Sequence, residues 1–472
     1  MECPKEEITM KSLLAVLFVF FCSFVFSQDL FFQQAGFESA SVGYIVCDVE
    51  TGEIVCERNS SQSLVPASIT KLITTATALE ILGGDFRFET KLEYEGEISS
   101  NGVLNGNLYI KGGGDPTLGS YRMGDPKFLD RWVEIIQSKG IKRITGSIVA
   151  DASLYDTEGV SPKWIWEDIG NYYAAGVYAL SAYDNTCRVT LSSGREGTTP
   201  EVLKIEPQIE GFRLENYLTV KNIRSDSAYF YGAPLDNVRY LYGAVPVNKE
   251  RFIIKGDIPN PPLFVATEFA KKLVAKGIVV EKKSFAIFST TEKIRKVLYT
   301  NYSRKLTEIV KEINHRSNNL YAEHLMKYLA LRNNKKATLN AAIYVTEKHW
   351  RDKGIDTDGL FLFDGSGLSP KNAISPQFFA KLLCQMSKSK EYDNFYMSLP
   401  IAGKSGTVSS FLLGSSLAGG VHLKSGSFGQ VQCYAGYLSK KYAFAIMVNN
   451  FYCSRRKVLR EIEYFLEQAV LQ

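Results

Sequence analysis

The chain has 472 residues, of which 45% are hydrophobic and 22% are charged. These values are typical of a globular protein and exclude a largely disordered chain, and the length predicts roughly two or three domains. A net charge of +5 is too small to indicate a nucleic-acid-binding protein.

The N-terminal residues 1–27 are predicted to be a secretory signal peptide. Met10-Lys11 supplies a short positive segment, the run Leu13–Phe26 is apolar, and small residues lie near its end. The apolar run is shorter than the ~20 residues that a membrane-spanning helix needs, so retention as an anchor is the weaker alternative. The residues before Met10 are acidic, which leaves Met10 as an alternative start. We therefore expect an exported protein of the periplasm or cell envelope.

The cysteines beyond this leader do not have the spacing of a zinc site: Cys47, Cys56, Cys187, Cys384, Cys433 and Cys453. Because the chain also has only 4 histidines, we expect no metal site. The segments Val42–Asp48 and Glu53–Glu57 are predicted to form a hairpin in which Cys47 lies opposite Cys56. Exported proteins form disulfides, but directly opposed cysteines often have poor bridging geometry, so this disulfide stays an open question.

The segment around Ser68 is predicted to be a buried helix that begins near Pro66 and ends at Gly83-Gly84. Ser68 and Lys71 are then one turn apart on the same face. A serine hydroxyl becomes a nucleophile when a base takes its proton, and a lysine is such a base only when its amine is neutral. Burial and the positive end of the helix dipole both lower a lysine pKa. The Ser-x-x-Lys pattern is common by chance, so it needs partners elsewhere in the chain.

Residues 88–290 are predicted to form a β-rich insertion. Short strands alternate with turn residues through this region, and the linker-like segment Ile258–Pro262 comes near its end, before a helix predicted over Val265–Lys276. The glycines of Gly112–Gly114 are not followed by the lysine and helix of a phosphate-binding loop, so we predict a turn there.

A second polar motif, Ser317-Asn318-Asn319, precedes a helix predicted over Leu320–Leu331. A serine hydroxyl can relay a proton to a leaving amine, and an asparagine amide can hold a substrate amide. Serine and asparagine are also favoured as helix caps, and on spacing alone this structural role is the better explanation.

The tripeptide Lys-Ser-Gly occurs twice, at Lys404–Gly406 and at Lys424–Gly426. The first copy is surrounded by turn residues and lacks the leading glycine of a phosphate-binding loop. The second lies on a predicted strand that is followed by the strands Val431–Leu438 and Tyr442–Val448. A strand edge pairs with an extended peptide, its lysine can bind a carboxylate, and a backbone N–H after the glycine can donate to an oxyanion. We therefore choose Lys424 as the candidate.

The C-terminal segment Arg455–Leu471 is predicted to be an amphipathic helix with one apolar face, formed by Val458, Ile462, Phe465 and Ala469. Packing of this face on a sheet is the favoured interpretation. Peripheral contact with a membrane surface is the alternative, which is weakened by the acidic residues Glu461, Glu463 and Glu467.

Ser-x-x-Lys, Ser-x-Asn and Lys-Ser/Thr-Gly follow one another here in the order found in penicillin-recognising serine enzymes. The surrounding sequence resembles the D-alanyl-D-alanine carboxypeptidase/endopeptidase family, the class-C low-molecular-mass penicillin-binding proteins. The resemblance covers nearly the whole mature chain and is carried by the stretches Val65–Phe88, Gly113–Leu118, Ser317–Glu323, Asp364–Ser369 and Ser398–Gly403.

The resemblance implies an α/β fold. A transpeptidase/β-lactamase-like domain, with a five-stranded antiparallel sheet flanked by helices, would comprise residues 28–87 and 291–472. The insertion at 88–290 would form the further β-rich domains, with a third domain nested in the second. No cofactor and no metal are implied.

The resemblance also implies catalytic roles. Ser68 would be the acylated nucleophile and Lys71 its base. Ser317 would relay protons, Asn319 would bind the substrate amide, and Lys424 would bind the terminal carboxylate of the substrate.

The residues after Lys424 are implied to complete substrate binding. Ser425 would join Lys424 on the carboxylate, and Gly426 and Ser427 would be further substrate-binding residues. The backbone N–H groups of Ser68 and Ser427 would form the oxyanion hole. Ser425 stands where threonine is commoner, and it keeps the hydroxyl.

The implied partners are peptidoglycan peptides as substrates and β-lactam antibiotics as covalent inhibitors, with no nucleic acid. Two alternatives remain open. The first is a β-lactamase or esterase on the same fold, which would need a base for fast deacylation that the sequence does not display. The second is a non-catalytic envelope protein that binds the cell wall, which the complete set of motifs disfavours.

Overall fold

The structure, a computed structural model, describes residues 31–33, 35–290, 293–332 and 336–470. The predicted signal peptide, residues 1–27, lies outside the described residues. Within the described ranges, no helix is both long enough and apolar enough to cross a membrane.

Helices and strands are distributed over the whole described part of the chain. The α-helices are α1 (Lys71–Leu82), α2 (Phe128–Ser138), α3 (Pro261–Ala275), α4 (Leu306–Arg316), α5 (Asn319–Leu329), α6 (Leu339–Asp352), α7 (Pro376–Ser387), α8 (Tyr392–Ser398) and α9 (Arg455–Val470). The strands are β1 (Ser41–Asp48), β2 (Ile54–Arg58), β3 (Glu89–Tyr94), β4 (Glu97–Ile98), β5 (Val103–Asn105), β6 (Leu108–Lys111), β7 (Arg143–Ile144), β8 (Ile148–Asp151), β9 (Thr186–Ser193), β10 (Glu201–Glu206), β11 (Arg213–Asn216), β12 (Thr219–Lys221), β13 (Tyr229–Tyr231), β14 (Val238–Tyr242), β15 (Ala244–Pro246), β16 (Lys249–Asp257), β17 (Val279–Val280), β18 (Phe285–Ile287), β19 (Lys296–Tyr302), β20 (Leu360–Phe361), β21 (Ala373–Ile374), β22 (Val421–Phe428), β23 (Val431–Leu438) and β24 (Tyr442–Asn449).

A five-stranded antiparallel sheet joins the two ends of the chain in the order β2-β1-β24-β23-β22. Strand β23 is buried at every position, because helices cover both faces of the sheet. On one face, Ala435 and Ala445 belong to the core cluster that contains α1. On the other face, Phe444 and Ile446 pack with α9. This arrangement is the predicted α/β architecture.

The apolar face of α9 is buried in the core. Val458, Ile462, Phe465 and Ala469 are each at most 5% exposed, and they share one cluster with residues of the sheet. The prediction that this helix packs on the sheet is therefore confirmed, and its apolar face is not available to a membrane surface.

Helix α1 is buried on all sides over Lys71–Leu79, although it contains several threonines. Their hydroxyls have partners inside the protein: Thr74 donates to the Gly365 carbonyl at 2.6 Å, and Thr77 donates to the Ile73 carbonyl at 2.7 Å. Because its buried polar groups are hydrogen-bonded, this helix provides a firm support for the residues at its N-terminus.

The predicted register of the N-terminal hairpin is wrong. Next to the turn Cys47 lies opposite Ile54, and after a bulge between Val46 and Cys47 it is Val46 that lies opposite Cys56. A shift of one residue turns a side chain to the other face of the sheet, so Cys47 and Cys56 belong to different core clusters. Cys47 faces Cys384 instead, with the two Sγ atoms 3.4 Å apart, and both are free thiols.

The region between α1 and α4 forms separate sheets, and most of its buried apolar residues belong to a hydrophobic core of their own. Ala152, Tyr155, Ala175, Val177 and Ala179 instead belong to the core cluster that contains α1. The largest sheet of the region is a five-stranded one of order β18-β8-β6-β3-β19, and a three-stranded sheet of order β10-β9-β16 lies further along the insertion. The segment expected to be a linker contains the start of α3, because Asn260 caps the helix and Pro261 occupies its first turn. The division at residues 88 and 290 remains a prediction, and β19 pairs with β3 beyond it.

Candidate active site

Ser68 lies in a 3-10 turn, Ala67–Thr70, which leads directly into α1. The turn is unusual, because Ala67 has a φ of +48°, a conformation that L residues rarely adopt. The Thr70 hydroxyl holds the turn by donating to the Ala67 carbonyl at 2.8 Å. Gly367 packs so closely that a Cβ there would lie 1.9 Å from the Ala67 oxygen. The surrounding chain thus holds Ser68 in a strained turn, partly exposed, as nucleophile-bearing turns often are.

The Lys71 ammonium connects three parts of the chain. Its Nζ lies 2.9 Å from Ser68 Oγ, 2.7 Å from Asn319 Oδ1 and 2.6 Å from the carbonyl oxygen of Ser366. The Lys71 side chain is fully buried, and this burial lowers its pKa to about 7, against the opposing charges of Asp364 and Glu323. A neutral amine is therefore accessible near neutral pH, at hydrogen-bond distance from the Ser68 hydroxyl.

The loop 364–369, whose Ser366 carbonyl accepts from Lys71, is held in place by hydrogen bonds to two buried carboxylates. Glu323, on α5, accepts hydrogen bonds from the backbone N–H groups of Gly365 and Ser366. Asp364 accepts from the Gly367 N–H at 2.8 Å and from other donors of the same loop. Both carboxylates thus orient the surroundings of Lys71.

The Ser317-Asn318-Asn319 segment combines a structural role with a role in the site. Ser317 has a φ of +57° and ends α4, and Asn318 caps α5 by accepting from the Tyr321 N–H at 3.1 Å. The cap explanation is therefore correct for Asn318. Asn319 instead accepts from Lys71 and donates through Nδ2 to the Tyr173 carbonyl at 2.9 Å.

The side chain of Lys424, on β22, reaches Ser317 of this segment. Its Nζ donates to Ser317 Oγ at 3.1 Å and to the Ser425 carbonyl at 2.7 Å. Burial, and then the positive charge of Lys71, lower the pKa of Lys424 well below its ordinary value. An anionic ligand beside Lys424 would favour its protonated form, because an opposite charge offsets both effects.

Strand β22 passes directly beside the turn that bears Ser68. A Cβ on Gly426 would lie 2.8 Å from the Ser68 nitrogen and 2.6 Å from the Pro66 oxygen. Only glycine permits this approach, since real Cβ atoms do not come so close to backbone atoms. Hydrogen bonds thus join Lys71 to Ser68 and Asn319, and Lys424 to Ser317. Gly426 brings the strand that bears Lys424 against the turn that bears Ser68.

A family model described as D-Ala-D-Ala carboxypeptidase 3 (S13) matches residues 28–468 of the chain. The chain belongs to the D-Ala-D-Ala carboxypeptidase 3 (S13) family. It is therefore a serine-type peptidase, a hydrolase of the class that the sequence resemblance implied. The buried lysine beside a serine is consistent with this chemistry, because it provides a base for the hydroxyl.

Relatives of this S13 chain match over most of their length. The D-alanyl-D-alanine carboxypeptidase of Actinomadura sp. (strain R39) is 28% identical over 439 residues, which cover 89% of this chain and 80% of that protein. Penicillin binding protein 4 from Haemophilus influenzae has a crystal structure with a TM-score of 0.81 and 24% identity, covering 92% of this chain and 97% of that chain. A structure of the same protein complexed with a β-lactam gives a TM-score of 0.76 and 21% identity, covering 91% of this chain and 96% of that chain. These likenesses confirm the predicted fold.

Two side chains next to the S13 motifs were missed by the sequence analysis. Thr407 Oγ1 lies 2.8 Å from Ser425 Oγ, and Arg455 donates to Ser427 Oγ at 3.0 Å. Thr407 follows the first Lys-Ser-Gly copy, which therefore lies beside the second copy in space. The repeated motif was a signal for Thr407, whereas Arg455 at the start of α9 had none.

The residues of this S13 site are not arranged as metal ligands. In the described part of the chain, no group of three or more His, Cys, Asp or Glu side chains could hold a metal ion. The chemistry available from the described side chains is that of a serine hydroxyl, two buried amines, an amide and backbone N–H groups.

Proposed function

We propose that the protein removes the terminal D-alanine from peptidoglycan stem peptides through an acyl-enzyme on Ser68. The observation that carries this proposal is the meeting of Ser68 Oγ and Asn319 Oδ1 at one buried amine, Lys71 Nζ, whose pKa is lowered to about 7. A neutral Lys71 accepts the hydroxyl proton while Ser68 Oγ attacks the carbonyl carbon of the penultimate D-alanine.

In the first step the new bond joins Ser68 Oγ to the carbonyl carbon, and the amide C–N bond breaks. The backbone N–H groups of Ser68 and Ser427 stabilise the oxyanion, and Asn319 binds the substrate amide. The proton taken by Lys71 passes through Ser317 to the leaving amine. Lys424 Nζ donates to Ser317 Oγ at 3.1 Å, so the Ser317 hydroxyl can direct its own hydrogen toward the leaving amine.

Lys424 and Ser425 bind the carboxylate of the leaving D-alanine, and Gly426 allows β22 to lie beside the bound peptide. Water then hydrolyses the ester, with Lys71 again serving as the base. When the leaving amine belongs to a cross-bridge instead of a free D-alanine, the same steps give endopeptidase action. β-Lactams acylate Ser68 as substrate mimics, which is supported by the β-lactam complex of the Haemophilus influenzae relative.

The proposed site of action is the cell envelope, and the proposed partner is peptidoglycan. The names of the relatives support this proposal, and so does the leader expected at residues 1–27. We also propose the division into a catalytic domain, 28–87 with 291–472, and inserted domains over 88–290, the third nested in the second. This division is supported by the hydrophobic core that most buried apolar residues of 88–290 form apart from the cluster around α1.

The test is the release of D-alanine from a diacylated Lys-D-Ala-D-Ala tripeptide. The wild-type protein should release D-alanine, and Ser68→Ala should lose at least about a thousandfold in kcat/KM, because the nucleophile is gone. Ser63→Ala is the matched control, since Ser63 lies close in sequence but donates to the Gly359 carbonyl outside the site. Equal release by wild type and Ser68→Ala would contradict the proposal.

A further inference from the structure

A cavity of about 670 Å³ begins beside the Ser317-Asn318-Asn319 segment and extends along the inserted region. At the active-site end its wall includes Asn318 and Tyr172, which are sequence neighbours of the hydrogen-bonded pair Asn319 and Tyr173. Its other wall includes residues of the sheet β10-β9-β16. The steps proposed above use none of the side chains on that second wall.

The acidic side chains of this cavity already have partners. Each is held by a neighbouring donor: Glu206 by Lys204 at 2.7 Å, Glu268 by Lys271 at 2.7 Å, and Asp184 by Tyr321 at 2.7 Å. Most of the cations are engaged in the same way: Lys204 with Glu206, Lys272 with Asp130 at 2.6 Å, and Arg122 with Glu312 at 3.3 Å. The charges left over in the cavity are those of Arg188 and Lys255.

Arg188 and Lys255 are directly opposite each other on β9 and β16. Both are exposed, and within the described ranges neither lies in an ion pair. On its other side Arg188 lies opposite Glu206 of β10, whose carboxylate is paired with Lys204. Like charges directly opposite on a sheet are destabilising, and a bound anion would reduce the repulsion between Arg188 and Lys255. Lys255 Nζ lies 5.5 Å from the centroid of the Tyr172 ring, which brings it toward the active-site end of the cavity.

The spacing of the pair suits one carboxylate. Directly opposed residues have Cβ atoms about 4.5–5.5 Å apart, so two long side chains can reach the same group. A guanidinium donates two parallel hydrogen bonds to a carboxylate, and an ammonium adds a third donor.

We infer that Arg188 and Lys255 form a second subsite, which binds a free carboxylate of the peptidoglycan peptide at a distance from the bond that is cleaved. This inference rests on the proposed function, because it takes the occupant of the cavity to be a part of the same substrate. The cavity wall is continuous with the Ser-x-Asn motif, and stem peptides carry free carboxylates besides the terminal one. The subsite would favour long, carboxylate-bearing cell-wall peptides over short ones.

The test compares three substrates with the full-length protein. The first is the diacylated tripeptide, whose only carboxylate is the C-terminal one. The second is a soluble stem pentapeptide with a free glutamyl carboxylate, and the third is the same pentapeptide with that carboxylate amidated. The double variant Arg188→Gln/Lys255→Gln should lose about tenfold in kcat/KM on the free pentapeptide, roughly three- to fourfold per cation, as expected for exposed charge pairs. It should change by less than about twofold on the tripeptide.

Two further variants control for charge and folding. Arg251→Gln removes a charge from the same strand outside the cavity and should match the wild type on all three substrates. Arg188→Lys/Lys255→Arg keeps both charges and should recover most of the activity on the free pentapeptide. Acylation by penicillin should proceed at equal rates in all of these proteins, which verifies an intact catalytic site.

Amidation completes the comparison. Amidation should lower kcat/KM of the wild type on the pentapeptide about tenfold. It should leave kcat/KM of the double variant almost unchanged, because the variant no longer contacts the carboxylate. An equal effect of amidation on both proteins, or an equal loss by the variant on all substrates, would overturn the subsite. A wild-type protein that releases D-alanine from none of the three substrates would instead contradict the proposed function on which the subsite rests.

Discussion

Two buried lysines, Lys71 and Lys424, lie in this site, and each is hydrogen-bonded to its own set of partners. Lys71 and Lys424 are both fully buried, and burial lowers the pKa of each. The positive charge of Lys71 lowers the pKa of Lys424 further. A substrate carboxylate at Lys424 reverses the balance, because it stabilises one ammonium and leaves Lys71 free to be neutral. Substrate binding and activation of the base are therefore coupled in our proposal.

The first prediction concerns the pH dependence of acylation. The pKa of Lys71 is lowered to about 7, so its neutral fraction, and with it the acylation rate by penicillin, should rise as pH increases through about 7. Lys71→Arg should lower the acylation rate by at least about a thousandfold, because a guanidinium stays protonated and cannot act as the base. The rate constant should be measured between about pH 5 and 9, with Ser63→Ala as the control. A flat profile would contradict Lys71 as the base.

The same lowered pKa affects stability. In the unfolded chain Lys71 keeps its proton up to its ordinary pKa of 10.5, whereas in the folded protein it releases the proton at about 7. The unfolded state therefore binds more protons between these values, so this lysine makes the free energy of unfolding rise with pH across that window. Below about pH 7 Lys71 is protonated in both states, so it lowers the free energy of unfolding by a constant amount, the cost of burying its charge.

The second prediction separates the two Lys-Ser-Gly copies. Lys424 is buried and bonded to Ser317, whereas Lys404 is exposed. Lys424→Gln should lower kcat/KM for the tripeptide by about a hundredfold, because a charge-assisted contact to the carboxylate is lost. Lys404→Gln, the matched control, should stay within about twofold. A larger loss for Lys404→Gln than for Lys424→Gln would show that we chose the wrong copy.

The approach of β22 to the turn that bears Ser68 depends on the absence of a side chain at Gly426. Our third prediction is that Gly426→Ala nearly abolishes acylation, because its Cβ would lie 2.8 Å from the Ser68 nitrogen. The atoms that this Cβ would meet belong to the backbone and cannot rotate away as a side chain can, so the strand must move away from the turn. Gly420→Ala is the control, since a Cβ at that position, just before β22, meets no atom closer than 3.5 Å. Acylation rates by penicillin should be compared for both variants, and equal rates would refute this view of the strand.

Several elements could be predicted from sequence because local chemistry determines them. The strands β22, β23 and β24 follow from alternating apolar runs between turn residues, and α1 follows from its cap region and terminal glycines. The hairpin register could not be predicted, since neither the turn closed by Asp48 and Glu53 nor the bulge after Val46 has a residue signature. The start of α3 was placed too late, because prolines were interpreted as a linker although they also suit a first helical turn.

In the site, the motifs predicted which residue types would meet, but not what holds them. The contacts of Lys71 with the Ser366 carbonyl, and of Asn319 with the Tyr173 carbonyl, involve backbone atoms of distant loops. Backbone acceptors carry no sequence signal, so these partners needed the structure. The same holds for Arg455, whose position depends on the packing of α9.

The region between α1 and α4 takes part in building the site. The Trp164 indole donates to Asp364 at 2.8 Å, and the Tyr173 carbonyl accepts from Asn319. A bridge between Asn171 and Gly256 ties this segment to β16 of the insertion. Changes in the insertion can therefore reach the residues around Lys71.

Our fourth prediction concerns the buried ion pair that stabilises the insertion. Arg239 is fully buried and donates to both oxygens of Asp257, at 2.6 and 2.8 Å. Arg239→Met should lower the free energy of unfolding by about 3–5 kcal/mol, because it leaves a buried carboxylate without its partner. The double replacement Arg239→Met/Asp257→Leu should recover most of this loss. Chemical denaturation measures both, and a loss below about 1 kcal/mol for the single variant would contradict the prediction.

The most direct test of Ser68 as the acylated nucleophile is mass spectrometry of the intact protein after reaction with benzylpenicillin. The wild type should gain one penicilloyl group that peptide mapping places on Ser68 and that persists for minutes or longer, and Ser68→Ala should gain none. Adduct formation on another serine, such as Ser405, or no adduct on the wild type would contradict our assignment. An adduct on Ser68 that is lost within seconds would indicate a β-lactamase instead of a carboxypeptidase.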